Sequence, residues 1–131
     1  MDWIDSIERA VFLRSLFPEA PSLHGVRVLE LGLHQDGPRV LIRFDLNEFP
    51  ARPPAKWGQS QANRVQLRLM GIGVRRLEVR GWSANSIVDI EVTPATSDGV
   101  GLVARGEGFS LEAVFDHLSL DGVSAYQDSG V

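Results

Sequence analysis

A strict alternation of apolar and polar residues, in short runs that begin after residue 25, most constrains the fold. The clearest run divides its side chains between two faces, with Val40, Ile42, Phe44 and Leu46 on the first and Arg39, Arg43 and Asp45 on the second. Successive side chains of a β-strand point to opposite faces, so this period of two is typical of a strand with one buried face.

Comparable runs, separated by glycine, proline and polar turn residues, cover residues 26–33, 40–46, 64–70, 74–80, 87–92, 100–105, 109–115 and 122–126. This spacing predicts a mainly β protein of about eight short strands over residues 26–126. We expect an antiparallel β-sandwich or one strongly curved sheet.

The N-terminal segment has a helical period instead. Asp2 suits an N-cap, and Asp5 three residues later completes a capping box in which aspartate replaces glutamate. Pro18 ends the pattern, because the residue before proline avoids the α region. We therefore expect one amphipathic α-helix over about residues 3–17, packed on the sheet.

Composition limits the class of protein. The 131 residues are 44% hydrophobic and 23% charged, which suits one soluble domain over residues 1–131. The chain has no cysteine, so disulfides and thiolate metal sites are excluded. No apolar run is long enough to span a membrane, and the acidic start does not fit a secretory signal. We expect a cytoplasmic protein that has no membrane partner.

The charge is unevenly distributed. Residues 1–38 carry −3, residues 39–80 carry +6 and residues 81–131 carry −7. The favoured interpretation is that neighbouring strands neutralise one another. The alternative is that an acidic surface attracts a basic partner. A nucleic-acid partner is disfavoured, because such binders usually carry a basic excess.

No pattern of residues indicates catalysis. The three histidines, His24, His34 and His117, lack the spacing of a local metal site, and no serine lies in a nucleophile elbow. The glycines between residues 99 and 108 are not followed by the lysine and hydroxyl residue of a phosphate loop. We predict a non-enzymatic protein without a metal or cofactor.

Two tryptophans lie in loops. Trp57 follows three prolines in a long connection over residues 47–62, and Trp82 follows Gly81 in a turn. Loop aromatics either cover the core or anchor a partner, and we expect partial burial with exposed ring edges. A small-ligand or carbohydrate-binding β module that uses both rings is an alternative function.

Several short segments resemble the Immunity protein 50 family of bacterial polymorphic-toxin systems. They are Pro21-Ser22-Leu23, Asp36-Gly37-Pro38, Phe44-Asp45-Leu46, Pro54-Ala55-Lys56-Trp57, Asn63-x-Val65-x-Leu67 and Gly81-Trp82-x-x-Asn85. The resemblance implies a bacterial antidote that binds a toxin domain in the cytoplasm and blocks it. It assigns no functional residue.

These observations lead to one functional hypothesis. We expect an immunity protein, monomeric or weakly dimeric, that neutralises a toxin domain by stoichiometric occlusion. Asp89 and Glu91 would face a basic cleft of the toxin, and Trp57, Trp82 and Asn85 would contribute contacts from the loops.

Overall fold

Six antiparallel strands form one sheet in the computed structural model, which describes residues 2–84 and 86–128. The strands are β1 (Val26–His34), β2 (Arg39–Asp45), β3 (Arg64–Arg80), β4 (Ile87–Val92), β5 (Val100–Gly106) and β6 (Ser110–Tyr126). Their spatial order is β1-β2-β3-β6-β5-β4, and β4 returns to β1, so the sheet closes into a barrel. The mainly β prediction is confirmed, but the strands form one closed sheet instead of a sandwich.

The predicted count of about eight strands is wrong, because two long strands each contain two of the predicted short ones. Predicted strands 64–70 and 74–80 are both part of β3, and 109–115 and 122–126 are both part of β6. The two long strands pair over 15 residue positions. Register shifts at Arg68/Leu69 and Val74/Arg76 bend this ladder without ending it.

The turns and bulges agree with the sequence. β1 and β2 form the predicted hairpin, with a register shift between Val28 and Glu30. β5 and β6 form a second hairpin across residues 106–109. In the described part of the chain, β1 pairs with β4 at two positions, Val26 with Val88 and Arg27 with Ile87. This short ladder is the seam of the barrel.

The predicted N-terminal helix is interrupted. A 3-10 helix covers Trp3–Ser6, and helix α1 covers Val11–Leu16. The capping box of Asp2 and Asp5 is present. The interruption has a tertiary cause, because the backbone of Glu8 hydrogen bonds with Leu118 and Leu120 of β6 at 2.9 Å each. Arg9 then turns the chain with a φ of 62°.

The core is a continuous apolar cluster inside the barrel. Phe44 and Phe115 have no exposed surface, and Ile4, Leu13 and Phe17 of the N-terminal segment pack into the same cluster. A further short helix, α2 (Ala55–Gln59), lies in the connection between β2 and β3. Among the described residues, no helix is long and apolar enough to cross a membrane.

Candidate partner-binding surface

The basic middle of the chain and its acidic last third neutralise each other across paired strands. The ion pairs are Arg64–Asp128 at 3.3 Å, Arg68–Asp121 at 3.4 Å, Arg75–Asp116 at 2.5 Å and Arg76–Glu112 at 4.0 Å. Each of these pairs includes β3 or β6, or the residues just beyond β6. The favoured interpretation of the charge pattern is therefore confirmed for these two strands.

Acidic side chains on and beside the β4–β5 hairpin are not neutralised in this way. We define the acidic surface as Asp89 and Glu91 on β4, Asp98 in the β4–β5 connection and Glu107 after β5. All four are exposed, and no lysine or arginine of the described residues lies within 4.0 Å of their carboxylates. Arg105 lies opposite Asp89 but pairs with Glu112 instead.

The alternation of β4 explains why two of these acids face outward. Val88 and Ile90 are buried in the barrel. Asp89 and Glu91 occupy the alternate positions of the strand, so their side chains point away from the barrel interior. Asp89 Oδ1 accepts a hydrogen bond from the Gly25 N–H at 2.8 Å and lies 3.5 Å from His24 Nδ1. Asp89 therefore also fixes the chain where it enters β1.

Trp82 presents the largest exposed ring near this hairpin. Its side chain is 52% exposed and packs edge-on against Phe109, with ring centroids 5.0 Å apart. Gly81 places it with a φ of 73°, and a side chain at position 81 would collide with the Gly108 carbonyl oxygen. Ile87, at the start of β4, is also exposed. Asn85, predicted to contribute, lies outside the described residues.

Trp57 lies in α2 and is partly buried in a different aromatic cluster. Its ring makes an edge contact with Phe12 at a centroid distance of 6.2 Å and a tilted contact with Phe49 at 6.0 Å. A groove of about 570 Å³ runs beside this cluster between residues 15–19 and 48–52.

Sequence reasoning missed Phe12 and Phe49 as neighbours of Trp57. Helix α1 buries Leu13 and Leu16, three residues apart, which leaves Phe12 46% exposed and Val11 86% exposed. The available signal was the run of apolar residues at positions 11–13. A helix as short as α1 can bury only one face, so such a run must expose part of itself.

The two tryptophans do not form one platform. Trp57 precedes β3 and Trp82 follows it, so the 17 residues of that strand separate them. The rings also have different neighbours, because Trp57 packs against Phe12 and Phe49, whereas Trp82 packs against Phe109. The carbohydrate-binding alternative uses both rings at one site, whereas these two rings belong to separate aromatic clusters.

A polar cluster lies where β2 and β6 end, beside the start of β3. Asp45, predicted to face outward, is only 5% exposed. It accepts hydrogen bonds from the Tyr126 hydroxyl and from Gln66 Nε2. Burial, followed by the bond to Asp45, raises the pKa of Tyr126 to about 12. These contacts join β2, β3 and β6, and they account for the buried carboxylate.

His24 and His117 each lie within ion-pair distance of a carboxylate. His117 Nδ1 lies 2.7 Å from Glu8 Oε2, and His24 lies beside Asp89. Within residues 2–84 and 86–128, no group of three or more histidine, aspartate or glutamate side chains is arranged to hold a metal ion.

Comparison with known families identifies a match over most of the chain. The model of the family described as Immunity protein 50 matches residues 10–126, a range that includes α1, all six described strands and both loop tryptophans. Comparison with curated proteins finds no match. Comparison with solved structures also finds none.

Proposed function

This chain belongs to the Immunity protein 50 family, and on that premise we propose that it is a cytoplasmic, non-enzymatic antidote. It binds a partner toxin domain one-to-one and occludes the active site of that domain. The observation that supports this mode of binding is the acidic surface, because none of its four carboxylates has a lysine or arginine partner among the described residues, whereas β3 and β6 pair their charges across strands.

The proposed contact combines charge with one aromatic anchor. Asp89 and Glu91 face a basic cleft of the toxin, which raises the association rate and fixes the orientation of the two proteins. Trp82 lies five residues before β4 and supplies exposed apolar area of the kind that dominates binding energy at interface centres. Trp57 packs in a separate aromatic cluster with Phe12 and Phe49, and the proposed contact does not include it.

Charge reversal tests the acidic surface. Replacing Asp89→Lys and Glu91→Lys together changes the charge by four units at one place on β4. We expect the affinity for the toxin-like domain encoded next to this gene to fall by about tenfold or more, because like charges then face each other. The association rate should also lose most of its dependence on salt. Calorimetry and stopped-flow mixing measure both quantities.

Two further variants keep this test interpretable. Glu19→Lys with Asp36→Lys makes the same change in net charge at exposed positions away from β4, and it should leave the affinity nearly unchanged. Asp89→Asn with Glu91→Gln keeps an oxygen acceptor for the Gly25 N–H and should weaken binding less than reversal does. Equal affinities for the reversed protein and the wild type would show that the toxin binds elsewhere.

A further inference from the structure

The second half of β3 has a strand neighbour on one side. β2 pairs with β3 as far as Ile72, and β6 pairs with it as far as Arg80. Among the described strands, none pairs with residues 75–80 along the edge opposite β6. Such an edge presents backbone N–H and C=O groups that can pair with another chain.

The side chains along this edge alternate in character. Arg76 and Glu78 lie on one face, with side chains 61% and 48% exposed, and Arg76 Nη2 lies 3.3 Å from Glu78 Oε1 of its own chain. Leu77 and Val79 lie on the other face, where Leu77 packs at the margin of the core and Val79 is 38% exposed. A partner strand would therefore meet a charged row on one face and an apolar row on the other.

We propose that this edge pairs with the same edge of a second copy of the chain. The two β3 strands run antiparallel about a two-fold axis beside Leu77, and the two barrels share one continuous sheet. In this register Arg76 lies opposite Glu78 of the second copy, and Glu78 lies opposite Arg76 of the second copy. Leu77 lies opposite itself, and Val79 lies opposite Arg75.

The charges favour this register over its main competitor. A parallel, in-register pairing would place Arg76 against Arg76 and Glu78 against Glu78, which is repulsive in both rows. Charged residues on an edge usually discourage pairing. Here the two signs are placed symmetrically around Leu77, so of these two registers only the antiparallel one opposes unlike charges, and it places each Arg76 between Glu78 of its own chain and Glu78 of the second copy.

Arg75 does not interfere with this arrangement. Its Nε is 2.5 Å from Asp116 Oδ1, and its Nη1 donates to the Asp98 carbonyl oxygen at 2.8 Å. Its charge is therefore already paired within its own chain. Pairing over residues 75–79 buries a small area, so we expect a weak, concentration-dependent dimer.

Exchange of the two charges tests the register. Sedimentation velocity over a concentration series should show that the wild type self-associates. Arg76→Glu alone, or Glu78→Arg alone, places like charges opposite each other and should weaken self-association by about tenfold or more. An equimolar mixture of these two variants restores complementary pairs and should associate. The double variant Arg76→Glu with Glu78→Arg should associate with itself.

A disulfide provides an independent test, because the chain has no cysteine of its own. Directly opposed residues of an antiparallel pair have Cα atoms about 4.5–5.5 Å apart, which suits a disulfide bond. Oxidation of Leu77→Cys should give a covalent dimer, whereas Asp36→Cys in an exposed turn should give little. Circular dichroism establishes that each variant is folded.

Sedimentation and cross-linking are both measured without the toxin, so a negative result in either one counts against the dimer and not against the proposed toxin binding. A wild type that remains monomeric at its highest soluble concentration would overturn the proposal. The same holds if the mixed charge variants fail to associate, or if Leu77→Cys cross-links no better than Asp36→Cys.

Discussion

Replacing Gly71 with alanine tests the packing of the barrel interior. Gly71 is buried in β3, where a β-carbon would lie 2.5 Å from Cδ1 and Cζ of the Phe115 ring. Carbon atoms prefer separations of about 3.5–4.0 Å, so the ring or the strand must move by roughly 1 Å. Phe115 is fully buried in β6, and β6 pairs with β3 along its length, so neither partner can move independently.

The expected cost follows from these contacts. Overpacking of a core costs about 1–3 kcal/mol, and alanine recovers roughly 0.5–1 kcal/mol because it loses less conformational freedom than glycine on folding. We expect Gly71→Ala to lower the free energy of unfolding by about 1.5 kcal/mol. With an unfolding entropy of roughly 2.1 cal/mol/K per residue, this change lowers the Tm by about 5 °C.

Thermal unfolding monitored by circular dichroism measures the effect, and Gly58→Ala is the matched control. Gly58 lies in α2, and an added β-carbon there meets no atom within 4 Å, so this variant should be slightly more stable than the wild type. Phe115→Leu should cost less in the Gly71→Ala background than alone, since it relieves the contact. A Tm of Gly71→Ala at or above that of the wild type would refute the reasoning.

Three further predictions concern polar contacts. Tyr126→Phe removes the hydroxyl that donates to the buried Asp45 carboxylate. The free energy of unfolding, measured in urea at pH 7, should fall by about 1–3 kcal/mol. An unchanged urea midpoint of unfolding would contradict this prediction. The pKa of Tyr126 is raised from 10.0 to about 12, so the contribution of the protonated hydroxyl to stability is complete below pH 10 and is lost as the pH rises through 12. In an alkaline unfolding series, the Tyr126→Phe variant should not show this loss of stability. The hydrogen bond from Arg14 lowers the pKa of Asp2 below its usual 3.8. The contribution of ionised Asp2 to stability is therefore complete above pH 3.8 and is lost as the pH falls below that value. Asp2→Asn should remove this part of the acid dependence, and an identical acid transition in the variant and the wild type would argue against this contribution.

Local alternation was sufficient to locate most of the strand residues and the buried faces of β2 and β4, apart from Asp45, which is buried although alternation placed it outward. Val40, Ile42 and Phe44 are buried as predicted, and so are Val88 and Ile90. Alternation was not sufficient to count the strands. The predicted strands 64–70 and 74–80 leave out residues 71–73, but the ladder with β6 continues across this gap. That ladder is a long-range pairing, which a single sequence does not specify.

The interrupted helix has a similar cause. The apolar period of the N-terminal segment suits one helix, and its capping box forms as predicted. The backbone of Glu8 instead pairs with β6, about 110 residues later in the chain. A tertiary contact of this kind overrides local propensity.

The candidate site was partly predictable for the same physical reasons. Outward exposure of Asp89 and Glu91 follows directly from the alternation of β4. The separation of Trp57 from Trp82 depends on the uninterrupted length of β3, so it could not be derived from local pattern. The charge blocks predicted that neighbouring strands neutralise each other, as β6 does for β3. Which arginine pairs with which acid depends on the strand register, and the charge blocks do not give that register.

Growth rescue tests neutralisation of a toxin most directly. The toxin-like C-terminal domain encoded next to this gene would be expressed in a sensitive host with the wild-type chain, with Asp89→Lys and Glu91→Lys, or with the Glu19→Lys and Asp36→Lys control. We expect the wild type and the control to restore growth and to purify as a one-to-one complex with the toxin domain, whereas the reversed protein restores growth poorly. Toxicity that persists in the presence of abundant, soluble wild-type chain would contradict the proposed neutralisation of that toxin.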